Sequence, residues 1–181
     1  MKRIGTLLFL LLSMTNAQAG EELAQSLIGH EYTGAPPGWP LPGRPGCNIE
    51  GGATISVRHV QQDGWAEGKI RCGKRWLLAL QRYSRAAVGE FPKEKIIDAV
   101  ELPFDLRSQH SEHSEWEVYP NGPCTFDGRR GTAMDVVLRW RGRKRVDHRT
   151  GIKQAWGFDL KQGKIVPLDI SRIRCERIEV D

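Results

Sequence analysis

Two stretches of this 181-residue chain carry side chains suited to binding or chemistry. In Ser108 to Glu117, His110 and His113 stand three apart, with Glu112, Glu115 and Glu117 beside them. Imidazole nitrogens and carboxylate oxygens are competent Zn²⁺ ligands. The stretch is polar, however, and lacks the apolar spacing that would set both rings on one helix face. It is expected to be an acidic surface loop open to a partner, and no metal or cofactor is assigned to it. The second stretch is basic. Arg139, Trp140, Arg141, Arg143, Lys144 and Arg145 surround Gly142 as residues at the tip of a hairpin would. Guanidinium forks grip carboxylate or phosphate through paired hydrogen bonds, and Trp140 would add a stacking face.

A catalytic nucleophile has no local signature. There is no Gly-x-Ser-x-Gly elbow, and no glycine-rich loop leads from a strand into a helix. Gly51-Gly52 and Gly128 to Gly131 read as turns. Paired carboxylates for glycosidic chemistry must stand roughly 5–10 Å apart, a relation that linear spacing does not specify. The four cysteines contain no Cys-x-x-Cys, so neither a zinc knuckle nor a redox pair is signalled. No catalytic residue is assigned, and a protein without enzymatic activity is expected.

The first nineteen residues read as a secretory signal. Lys2 and Arg3 precede an apolar run from Ile4 to Met14, and Ala17-Gln18-Ala19 supplies small residues for cleavage after Ala19. The apolar run is too short to span a bilayer of roughly 30 Å as a helix. Residues 20–181 are then expected to form one exported domain in the periplasm, not spanning the membrane. In an oxidising compartment Cys47, Cys72, Cys124 and Cys175 are most simply two disulfides. Three pairings exist, and the non-crossing one, Cys47–Cys72 with Cys124–Cys175, is favoured.

Charge is segregated along the chain. The whole sequence has 27 Lys plus Arg against 22 Asp plus Glu, a net charge of +5. Loss of Lys2 and Arg3 would leave 25 bases against the same 22 acids. Residues 90 to 117 hold eight acids and three bases, whereas residues 128 to 149 hold eight bases and two acids. In a cytosolic protein the basic block would suggest nucleic acid. Export makes a protein with an acidic surface the better expectation, with an anionic envelope polymer as the other candidate and no nucleic acid. Complementary charge of this kind orients partners and speeds their encounter.

The elements that must carry these groups are mostly strands. Leu23, Leu27 and Ile28 sit at helical spacing before Gly29, a plausible stop, so residues 21–28 are expected to be a short helix. Residues 34–47 hold five Pro and four Gly in fourteen positions, which suits neither helix nor central strand. An extended surface segment is expected there, covering an edge or docking a partner through Trp39. Strands are expected over Ile55–Val60, Lys69–Cys72, Arg75–Tyr83, Lys93–Leu102, Trp116–Tyr119, Thr132–Arg141, Gln154–Leu160 and Ile165–Ile170. Gly73-Lys74, Pro120-Asn121-Gly122 and Lys161 to Lys164 supply turns. Ile173 and Cys175 share a face, while Ile178 and Val180 fall on the other parity. Trp76, Trp140 and Trp156 are in strands and suit a core. Short turns without a βαβ alternation imply a mainly β, single-domain antiparallel sandwich or barrel with a short N-terminal helix.

By size, export, disulfides and β content the chain is similar in general character to the small periplasmic inhibitors of lysozyme. The same likeness extends to immunity proteins that neutralise exported toxins. It is one of architecture, and no motif of either family is present. It implies an exported binding protein that neutralises a protein partner in the cell envelope through protruding loops. The candidates for contact are Trp39, the His110–Glu115 loop and the Arg139–Arg145 block. The other classes are an accessory component of an envelope assembly and an envelope hydrolase with a dispersed site.

Overall fold

The computed structural model describes residues 21–34, 36–56, 64–84, 91–102, 116–120, 124–130 and 133–177. The expected loop with His110, Glu112, His113 and Glu115 lies outside them, as do Ile178, Val180 and part of the Ile55–Val60 strand.

The described chain is mainly β and wholly antiparallel, with two disulfides. Strands β2 (Cys47–Ser56), β3 (Gly64–Cys72), β4 (Arg75–Tyr83) and β5 (Lys93–Leu102) form a meander, and β1 (Glu31–Thr33) adds to its β5 edge. A four-stranded sheet comprises β6 (Glu117–Pro120), β8 (Met134–Leu138), β10 (Ile152–Asp159) and β11 (Lys164–Pro167), ordered β11-β10-β8-β6. A three-stranded sheet runs β7-β12-β9 from β7 (Cys124–Phe126), β12 (Ile173–Glu176) and β9 (Arg145–Val146).

Period-two alternation explains how these sheets stack. On β4, Leu77 and Ala79 join one apolar cluster with Ile70, Ile96 and the helix residues Ala24 and Leu27. Trp76, Leu78 and Leu80 face the other way and pack on Val118, Val137, Trp156 and Ile165 of the four-stranded sheet. Met134, Val136 and Leu138 on the far side of that sheet meet Val146, Ile173 and Cys175 of the three-stranded one. The order is therefore helix, five-stranded sheet, four-stranded sheet, three-stranded sheet. All five residues of β8 are buried, as its near-continuous apolar run requires. Asp98 ties the first two sheets together, accepting the Ile165 N–H at 2.8 Å and Lys164 Nζ at 3.3 Å.

Residues 21–27 are helical and end at Gly29, whose φ of 85° suits a residue without Cβ. The Pro-rich segment covers the free edge of β2. Gly38 N–H donates to Ile49 O at 2.6 Å, Ile49 N–H to Trp39 O at 2.9 Å and Leu41 N–H to Cys47 O at 2.8 Å. Leu41 plugs the apolar cluster beneath. The segment is a chain of turns and not the extended strap expected. Gly38, Gly43 and Gly46 all adopt positive φ and bend it back repeatedly. Covering an edge removes a template for unwanted strand pairing.

Both disulfides join residues directly opposite each other in a ladder. Cys47–Cys72 closes the β2–β3 pair, and Cys124–Cys175 closes β7–β12. The non-crossing pairing is the observed one.

Candidate functional site

The basic block does not form the hairpin tip expected. Both edges of β8 are taken, by β6 and β10, so no edge is left for β9. The chain turns at Arg141 and Gly142, with φ of 45° and 73°, and crosses to the three-stranded sheet, where β9 pairs with β12. Arg141, Arg143, Lys144 and Arg145 are exposed along that crossing.

Trp140 is turned inward and is only 6% exposed, so it offers no stacking face to a partner. Its ring packs edge-on against Tyr119, and Nε1 donates to the Tyr119 hydroxyl at 3.0 Å. Burying an indole with its N–H satisfied outweighs presenting it to water. Trp140 thus keeps the core role that its strand position suggested. Arg139 is occupied as well. Its guanidinium lies 4.6 Å from the Trp116 ring, with Lys153 Nζ 5.0 Å from the same ring. Trp39 stands 60% exposed on the Pro-rich segment, on the opposite side of the stack from the basic crossing.

The fold brings further arginines to the basic crossing. A cavity of about 360 Å³ opens on the three-stranded sheet, bordered by Arg130, Arg145, Arg174, Asp147, Thr150 and Glu176. Arg145 donates from Nε and Nη2 to Glu176 Oε1 at 2.9 and 2.8 Å. Arg174 Nη1 donates to the backbone oxygens of Ser171 and Ile173 at 2.8 and 2.7 Å. Asp147 caps the turn that follows β9, accepting the Thr150 hydroxyl and the N–H groups of Arg149 and Thr150. The Thr150 hydroxyl bond, ahead of the two backbone bonds, holds its carboxyl below the usual aspartate range. The nearby charge of Arg174 lowers it further. Arg174 was missed in the sequence, and Arg130 was counted in the basic stretch without being singled out for contact. The signal available was parity, because Arg174 alternates with Ile173 and Cys175 and so must point outward when they point in.

A second charged group is buried between sheets. Glu67 is 1% exposed and Asp135 fully buried, with Lys69 close behind. Glu67 and Lys69 stand on the face of β3 that meets the four-stranded sheet, and Asp135 reaches across from β8. None of the four carboxyl oxygens completes a hydrogen bond with another described residue, and the Ala53 N–H only approaches Glu67. Burial pushes both carboxyls up, Asp135 well above its ordinary range. The negative charge of Glu67 adds to the rise at Asp135, and Lys69 draws both back. A single proton between the two carboxyls would leave one negative charge beside Lys69 in place of two. The group is enclosed between the two sheets.

No protein-family model, characterised protein or solved structure matches the chain. Function therefore has to be argued from the groups themselves.

Proposed function

We propose that the protein is an exported binding protein that grips an acidic protein partner in the cell envelope with its arginine-rich end. On this reading it neutralises that partner as an inhibitor or immunity protein does, and performs no chemistry of its own. One observation carries the reading. Arg130, Arg145 and Arg174, from three separated stretches of the chain, border one cavity on one small sheet, and the exposed Arg141, Arg143 and Lys144 lead into it along the crossing. A solvated basic loop would need no such convergence. The two disulfides suit an oxidising, exported setting. None of the helices among the described residues is long and apolar enough to cross a membrane.

The test uses the oxidised protein processed after Ala19 as bait in a native envelope extract at low salt. Wild type is expected to retain one stoichiometric acidic protein. Arg141→Glu with Arg143→Glu should reduce its capture by about tenfold or more, because like charges then face each other. Equal recovery by both baits, or absence of a stoichiometric partner, sinks the proposal.

A further inference from the structure

The opposite end of the molecule carries another cavity. A cavity of about 550 Å³ opens on the helix-bearing face of the five-stranded sheet, beyond the part that the helix and Pro-rich segment cover. This volume falls within the range of small-molecule sites. Its floor follows from β3, whose residues on this face run Gly64, Ala66, Gly68 before Ile70 resumes the apolar cluster. Each missing side chain makes room for a neighbour. A Cβ on Gly68 would meet the Gln81 amide at 2.6 Å, and one on Gly64 would strike the Tyr83 ring. Gln81 and Tyr83 therefore lie across the floor as cavity lining.

The polar groups here form a directed chain. Gln81 Nε2 donates to the Tyr32 hydroxyl at 2.6 Å, and that hydroxyl donates to Glu94 Oε2 at 2.6 Å. The chain points toward Glu94, where the carboxylate oxygen Oε1 remains as an acceptor beyond the Tyr32 bond to Oε2. Among the described residues no cation pairs with Glu94. Its strand neighbours Lys93 and Lys95 alternate to the other face, where Lys95 Nζ meets Glu31 at 2.8 Å. Burial accordingly raises the Glu94 carboxyl above its usual range, against the Tyr32 bond that lowers it. A half-buried carboxylate with aromatic side chains beside it and a spare acceptor complements a ligand that brings positive charge and N–H donors.

We infer that this cavity binds a small organic cation, a primary ammonium or guanidinium head on a short apolar stem, with Glu94 as its counter-ion. Tyr32 and Gln81 hold the carboxylate in place, and the apolar stem runs over Ile49, Ala66 and Pro92. A free amine and a Lys or Arg side chain of another protein share this chemistry, and the peptide arm below separates the two sources.

Calorimetric titration of the oxidised protein with n-butylammonium, n-butylguanidinium and n-butanol tests the inference, with acetyl-Gly-Lys-Gly-amide as a fourth arm. Both free cations should bind saturably, with a Kd on the order of 1 mM or below, and butanol should not. Glu94→Gln should weaken the cations by roughly tenfold or more, as loss of a charged acceptor does. Ala66→Leu leaves the Glu94 chain intact, fills the floor and should abolish binding, so the inference is testable even if Glu94→Gln folds poorly. Peptide binding at similar strength assigns the site to a protein side chain, and its exclusion assigns it to a free amine. Absence of saturable binding by both cations overturns the inference. Unchanged binding in a folded Glu94→Gln, or in Ala66→Leu, does so too. Glu94 belongs to a different sheet from the arginine end, so neither result bears on the partner proposed there.

Discussion

Cys124→Ala with Cys175→Ala is expected to destabilise the protein by about 4 kcal/mol, or roughly 8–16 °C in Tm. The bridge closes a sequence separation of 51 residues, and constraint of the unfolded chain grows with loop length. Its position in the fold adds a local effect. β7, β9 and β12 have three, two and four residues, too few to hold a sheet by ladder bonds alone. Hydrogen exchange at these strands should therefore accelerate before that at β4, which is paired on both sides along its length. The arginine cavity is built on those short strands, and partner capture should fall with them. Removing Cys47–Cys72, with a separation of 25, should cost about 3.5 kcal/mol and leave exchange at β12 unchanged. Uniform acceleration across all three sheets in the first variant would contradict this account.

Asp135→Asn is expected to stabilise the protein at pH 8 by about 2 kcal/mol, or roughly 4–8 °C in Tm, and to change it little at pH 4. The native state holds the Asp135 proton more tightly than the unfolded chain, in which aspartate releases it near pH 4. The stabilisation from that bound proton is fully present below the unfolded value and is lost as pH rises through the raised native one. An asparagine amide can donate to Glu67 at every pH, which leaves Glu67 opposite the charge of Lys69. Wild-type stability should thus decline with rising pH in a way that Asp135→Asn flattens. Lys69→Met should have the opposite sign, because the carboxyl pair then loses the cation that lowers both groups. Thermal unfolding of the three proteins between pH 4 and pH 9 measures both effects. Parallel pH profiles for wild type and Asp135→Asn would show that the shared proton is not where burial puts it.

Much of the architecture was legible because it rests on local chemistry. Alternation on β4 and β5, the Gly73-Lys74 turn and the helix stop at Gly29 follow from side-chain period and backbone freedom. The disulfide pairing followed from the absence of crossings. Trp140 shows the limit of such reading for the site. Its strand position suggested core, its basic neighbours suggested surface, and only the position of Tyr119 decided for the core. The Gly64, Ala66, Gly68 series was visible as three small residues at period two. That it floors a cavity depended on Tyr83 and Gln81 lying across it from the next strand.

The sequence by itself determined a mainly antiparallel β chain, its strand faces, the use of its four cysteines as two disulfides and the separation of acidic from basic stretches. The tertiary structure alone decided which strands share a sheet, and hence which charges meet. Strand pairing in a fold with three sheets is set by long-range packing, and no local period records it. That is why Arg174 borders one cavity with Arg130 and Arg145, why Glu67 is shut in with Asp135, and why Glu94 has no cation partner among the described residues.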